Sequence, residues 1–173
     1  MKHLLTHTWP GVMRGALIVC LFAALSAWAS GLVFHEFSFD ATRESPEAEV
    51  LDYRYGDSRQ PSARASDYDK EHGSVRQSVG IHGDMLRGDT LYVKWRIKSS
   101  GTVYEDTVDL KSLLPRDISK HRVHFIVNGD QLFVHLITPE RRPPDVPPNG
   151  PREYQYLKVI TLSSHTGREV TTP

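Results

Sequence analysis

The chain has 173 residues, with 21 lysines and arginines, 21 aspartates and glutamates, and a single cysteine. That length suits one domain, since domains peak at about 100–150 residues. The balanced charge lacks the basic footprint of a nucleic-acid binder. Cys20 lies in an apolar N-terminal run, so the folded part has no intramolecular disulfide, thiolate metal site or cysteine nucleophile.

Lys2 and Arg14 precede an uncharged run, residues 15–34, which Glu36 and Asp40 follow. An apolar stretch of about 13 residues ending at Ala27-Trp28-Ala29 fits a secretory signal peptide cut after Ala29. The whole run is 20 residues long, enough to cross a bilayer, so an uncleaved inner-membrane anchor through residues 15–34 fits as well. Lipid modification of Cys20 is disfavoured, because Val19 stands where a small residue is needed. Both readings make residues 1–31 an export leader and place a β domain, 32–162, in the periplasm or cell envelope. Without Lys2 and Arg14 the remainder carries 19 basic and 21 acidic residues, a difference of −2.

Residues 32–40 (LVFHEFSFD) and 47–56 (EAEVLDYRYG), rich in aromatic and branched residues, predict strands separated by a Ser45-Pro46 turn. Residues 57–73 are nearly devoid of apolar side chains and predict a long mobile surface loop. A strand is expected over 74–82. Thr90–Lys98 alternates strictly, with Leu91, Val93, Trp95 and Ile97 on one side, as a half-buried antiparallel strand requires. A three-residue Ser99-Ser100-Gly101 loop would return the chain through residues 102–110, setting Asp106 opposite Lys94.

The clearest signal is HRVHFIVNGDQLFVHL, His121–Leu136. Asn128-Gly129 suits a two-residue type I′ hairpin, which would pair Val127 with Asp130, Phe125 with Leu132 and Val123 with Val134. One face of the hairpin is then apolar; the other carries Arg122, His124, Phe133 and His135. Six prolines lie between Pro139 and Pro151, so residues 139–152 predict a stiff crossover loop that is neither central strand nor helix. A last strand, 153–162, precedes a polar tail, 163–173. The sum is an all-β antiparallel sandwich or partly closed barrel of seven to eight strands.

Candidate chemistry is sparse. His124 and His135 would lie diagonally on the mixed hairpin face, near enough to share a metal if a third ligand converged, and a metal-binding or metal-dependent enzyme is the alternative they support. No cofactor motif is present. Arg87-Gly88-Asp89 reads as turn chemistry before a strand. Glu105, Asp106 and Asp109 face Lys94, Arg96 and Lys98 as cross-strand charge pairs. A lipid or small-ligand carrier would need a barrel cavity. The remaining reading is non-enzymatic: a protein-binding surface formed by Arg122, His124, Phe133 and His135 with Arg141 and Arg142 of the proline-rich loop, because a stiff exposed loop loses little entropy on binding.

The segments GDTLYVKWRIK, YEDTVDLKSLLP, HRVHFIVNGDQLFVHLITPERRPP and NGPREYQYLKVI, within Glu49–Ile160, resemble a group of small uncharacterised envelope proteins of Gram-negative bacteria, some of which accompany type VI secretion effectors. That resemblance implies an accessory or immunity protein that binds a secreted effector in the periplasm. Its motifs carry no functional residues, and the chain departs from the lipoprotein pattern of many members at Val19-Cys20.

Overall fold

A computed structural model describes residues 31–171 of the chain. The leader therefore falls outside the described residues except for Gly31, as do Thr172 and Pro173. Nine strands lie among the described residues: β1 (Leu32–Asp40), β2 (Ala48–Tyr55), β3 (Ser78–Leu86), β4 (Thr90–Ile97), β5 (Val103–Asp109), β6 (Arg122–Asn128), β7 (Gln131–Arg141), β8 (Leu157–Thr166) and β9 (Arg168–Glu169). Two short helices, α1 (Ala41–Glu44) and α2 (Asp67–Glu71), and a 3₁₀ turn at Arg152–Tyr154 complete the secondary structure of the described residues.

The strands form two mainly antiparallel sheets, ordered β3-β1-β6-β7-β8 and β2-β4-β5-β9, with no ladder closing them into a barrel. One pairing departs from the expected antiparallel pattern. β1 runs parallel to β6, with Glu36 beside Arg122, Phe37 beside Val123 and Ser38 beside His124. A parallel neighbour needs a crossover, and here the whole of β2–β5 supplies it.

Alternation dictates which side chains meet. Phe37 and Phe39 of β1 and Phe125 of β6 point inward from the first sheet, Tyr53 and Tyr55 of β2 from the second. Phe37 stacks on Tyr55 with ring centroids 4.8 Å apart, and Phe39 meets Phe125 at 4.5 Å and Tyr53 at 4.9 Å. Such contacts add about 0.5–1.5 kcal/mol each beyond the area they bury. One polar pair shares this interior. His35 Nδ1–H donates to the Val33 carbonyl at 2.7 Å, which leaves Nε2 to accept the Tyr55 hydroxyl at 3.0 Å. Burial holds the imidazole below its ordinary pKa and pushes Tyr55 up to about 12, so both stay neutral.

Two turns differ from their sequence reading. In the β6–β7 hairpin Asn128 pairs with Gln131, and the two-residue turn is Gly129-Asp130. Gly129 has φ +59° while Asp130 does not take positive φ, which matches a type II′ turn with glycine first. The turn thus moves by one residue, which changes every partner by two and preserves the faces. Val123, Phe125, Val127, Leu132, Val134 and Leu136 all reach the core. Between β4 and β5 the loop is Lys98–Gly101, so Lys94 faces Glu105, and Trp95 faces Tyr104 in place of the expected offset. This register keeps Tyr104 and Val108 on the Trp95 side, where a register offset by one would have exposed them.

The segment at 57–73 carries more structure than its composition suggests. Ala63 and Ala65 are buried, their backbones bond to Tyr55 and Tyr53, and α2 follows with Ser66 as its N-cap. The Gln77 side chain bonds Val50 N–H and C=O at 2.8 and 2.9 Å, so the outer edge of β2 is covered along its length by a loop and an amide. Nor do residues 163–169 form a tail: β8 continues to Thr166, Gly167 lies against the Trp95 ring, and β9 joins β5 in the other sheet. Trp95 Nε1–H donates to the Gly129 carbonyl at 2.9 Å, tying the hairpin turn to the same corner.

Phe37 has no solvent exposure and touches rings from both sheets. Phe37→Ala is expected to lower the unfolding free energy by about 3–5 kcal/mol, read as a drop in the urea midpoint with an unchanged slope.

Candidate functional site: the covered face of the hairpin

The mixed hairpin face expected to meet a partner or solvent lies beneath the proline-rich segment. β7 runs on through Thr138 and Pro139 to Arg141, and its pairing with β8 is irregular between Ile137 and Arg141. Pro139 thus occupies a strand where the ladder is already broken and β6 has ended, one of the few places that tolerates its missing N–H. Beyond Arg141 the chain folds back over β6, β7 and β8. Asn149 Nδ2 donates to the Val159 carbonyl at 3.2 Å, and Ile137, Tyr154 and Val159 form a small second core with Leu157. Gly150, at φ +68°, sits so close that a Cβ there would lie 2.7 Å from Val159 Cγ1.

His124 and His135 are only 2% and 5% exposed, and the true register sets them directly opposite each other. Glu44, at the end of α1, accepts from His124 Nε2–H at 3.0 Å. On the other side of the ring, Nδ1 and the Ser38 hydroxyl are hydrogen-bonded at 2.8 Å. The other oxygen of Glu44 accepts Arg152 N–H at 2.9 Å, which ties the 3₁₀ turn to α1. Tyr154 of that turn lies edge-on to His124 at 5.6 Å. Arg122 packs 4.7 Å over the Tyr154 ring, donates to its hydroxyl at 2.7 Å and pairs with Glu36.

Ser38, His124 and Glu44 have the donor order of a nucleophile, base and orienting acid. Ser38 is 4% exposed, however, and His124 is flanked by Tyr154, so an acyl group would reach the hydroxyl only after the 3₁₀ turn lifts away. As it stands, the array satisfies buried polar groups. For a metal, His124 has both ring nitrogens engaged and His135 Nδ1 lies 3.3 Å from Thr161 Oγ1. No group of three histidine, cysteine or carboxylate side chains converges among the described residues.

The six residues expected to form a binding surface therefore divide. His124 and His135 are interior, Arg122 is clamped between Glu36 and Tyr154, and Phe133 is half-buried, stacked on His135. Arg142 is a brace: its backbone N–H reaches Tyr156 O at 3.0 Å, Nε reaches Gln155 O at 2.8 Å, and Nη1 holds Val146 O. Arg141 alone of the six is exposed. The exposed apolar residues around the loop are Val146 on it (42% exposed), Tyr156 just past the 3₁₀ turn (66%) and Ile160 on β8 (41%), with Val146 and Ile160 lining a groove of about 220 Å³ beside Pro143 and Lys158. Nothing local in the sequence marks Ser38, Glu44 or Tyr154 as partners of His124, since they lie 86, 80 and 30 positions away. Alternation in β1, which puts Glu36 and Ser38 on one side, was the only available signal.

No protein-family model, curated protein or solved structure matches the chain.

Two outcomes are expected. Burial, aided by the neighbouring His124, lowers the pKa of His135 from 6.5 to about 4. The unfolded chain protonates this residue below pH 6.5 and the folded chain does not, so stability is full above pH 6.5 and is lost as pH falls toward 4. The loss is roughly 3 kcal/mol, and His35 acts in the same direction. Urea unfolding across pH 8 to 4 should show this decline, and His135→Gln should make it shallower. Removing the carboxylate in Glu44→Ala leaves His124 Nε2–H and Arg152 N–H without their acceptor. That should cost about 1–3 kcal/mol and speed proteolysis between Pro143 and Pro151.

Proposed function

We propose that this is an exported, non-enzymatic β-sandwich that binds another protein through the rim of its proline-rich loop. What supports the reading is one observation: Val146 and Tyr156 are exposed on a backbone braced by Arg142 and pinned over the sheet by Tyr154, and Ile160 of β8 is exposed in the groove that Val146 lines. Exposed apolar and aromatic side chains on a preorganised loop are suited to a partner, because burying them gains hydrophobic free energy at little ordering cost. Arg141 and Lys158 place positive charge beside them, although Lys158 is paired with Glu140. The surface is thus the outer rim of the loop, and the histidine face beneath it serves as its support.

The resemblance to envelope proteins that accompany secretion effectors supplies the class of partner: a toxic effector, met in the periplasm. Membrane attachment through residues 15–34 is compatible only in a shortened form. Leu32, Val33 and Phe34 pair with β3, which leaves residues 15–31, 17 residues, at the lower limit of a bilayer span.

If the reading holds, deleting the gene sensitises cells to an effector encoded beside it, and the purified full-length chain binds that effector directly. Tyr156→Ala combined with Ile160→Asp should weaken binding about 30-fold or more, as expected when a buried aromatic anchor worth 2 kcal/mol or more is lost. Unchanged affinity in that double variant, measured by titration calorimetry with an unchanged melting temperature, would refute the assigned surface.

A further inference from the structure

On the other sheet, a groove of about 760 Å³ opens between β2 and the chain leading into α2. Its floor is set by backbone pairing. Arg54 of β2 lies directly beside Tyr92 of β4 on one flank and, through an isolated antiparallel bridge, beside Arg64 on the other. Directly paired residues project their side chains to the same face about 5 Å apart, so Tyr92, Arg54 and Arg64 form a row. Ser62, Asp52, Asp67 and Lys70 complete the lining.

The charges in the groove are unequally matched. Lys70 holds both carboxylates, Asp67 at 2.8 Å and Asp52 at 3.8 Å. Among the described residues neither Arg54 nor Arg64 has a carboxylate within ion-pair distance, and both are exposed. Asp52 and Asp67 act on Arg54 and Arg64 only at longer range, so the two bridged arginines keep N–H donors available that match the oxygens of a phosphate. The groove is much larger than one oxyanion and lies in the size range of small-molecule sites. Beside the arginines it offers the Tyr92 ring and the polar groups of Asp52 and Ser62, which suit a hydroxylated body and not an apolar one.

We propose that this groove binds a small phosphorylated saccharide, with the phosphate between Arg54 and Arg64 and the sugar ring against Tyr92. The site is separate from the loop rim assigned to protein binding and stands or falls independently of it.

Glucose 6-phosphate, glucose and inorganic phosphate are the probes, each titrated calorimetrically into the full-length chain and into Arg54→Gln, Arg64→Gln and Tyr92→Leu variants. Because both arginines are exposed, their variants should melt at the wild-type temperature. The expected result is that glucose 6-phosphate binds at least tenfold more tightly than either other probe, that each arginine variant loses at least tenfold, and that Tyr92→Leu reduces glucose 6-phosphate binding to the level of inorganic phosphate. Equal binding of inorganic phosphate and glucose 6-phosphate overturns the saccharide assignment. Absence of binding, or binding that survives both arginine variants, overturns the site. Loss of effector binding in the arginine variants without any sugar-phosphate binding would make the groove a protein contact and likewise overturn the proposal.

Discussion

Five aromatic rings joining the two sheets are the constraint on which the rest of the structure depends. Phe37 and Phe39 come from β1, a strand hydrogen-bonded on both sides, and they meet Phe125 of the neighbouring β6 and, across the interior, Tyr53 and Tyr55. Once those rings are stacked, the outward positions of β1 are set by alternation, and Glu36 and Ser38 fall beside Arg122 and His124. The polar network on the outer face follows from the aromatic network on the inner one.

That outer face is unusual in being buried as well. Buried polar groups cost free energy unless they are hydrogen-bonded, and here the partners of His124 and Arg122 come from distant parts of the chain: Glu44 from α1, which also accepts the Arg152 amide, and Tyr154 from the 3₁₀ turn. The proline-rich segment owes its position to these contacts and to the small core of Ile137, Tyr154 and Val159. Its stiffness comes from proline, but its direction comes from Arg142, whose three backbone acceptors lie on both arms of the loop. Val146, Tyr156 and Ile160 are left outside as a consequence.

Much of the strand layout was legible because burial on one face writes itself as alternation. The first strand, Leu32–Asp40, agrees to the residue, and β4 agrees to within one. Where one residue can shift without changing faces, as at Asn128-Gly129-Asp130, the pattern leaves the turn undetermined, and glycine's freedom at positive φ decided in favour of a turn starting at Gly129. Where a segment contributes only small or polar residues, as at Ala63, Ala65 and Ser163, local composition reads as loop or tail although the backbone is paired. Pro139 misled in the opposite sense: it excludes a regular ladder, and the ladder at that point is irregular.

A β-rich chain with an apolar hairpin face, a proline-stiffened crossover and no concentrated catalytic motif can be read from the residues alone, because those properties depend on side-chain periodicity and backbone chemistry within a few residues. Folding in three dimensions was needed to set β1 parallel to β6, to bury the two histidines, and to bring Arg54 and Arg64 side by side. Each of these depends on contacts between residues far apart in the chain or on opposite strands. Periodicity says which side of a strand is apolar, but it is silent on what will be laid over the other side.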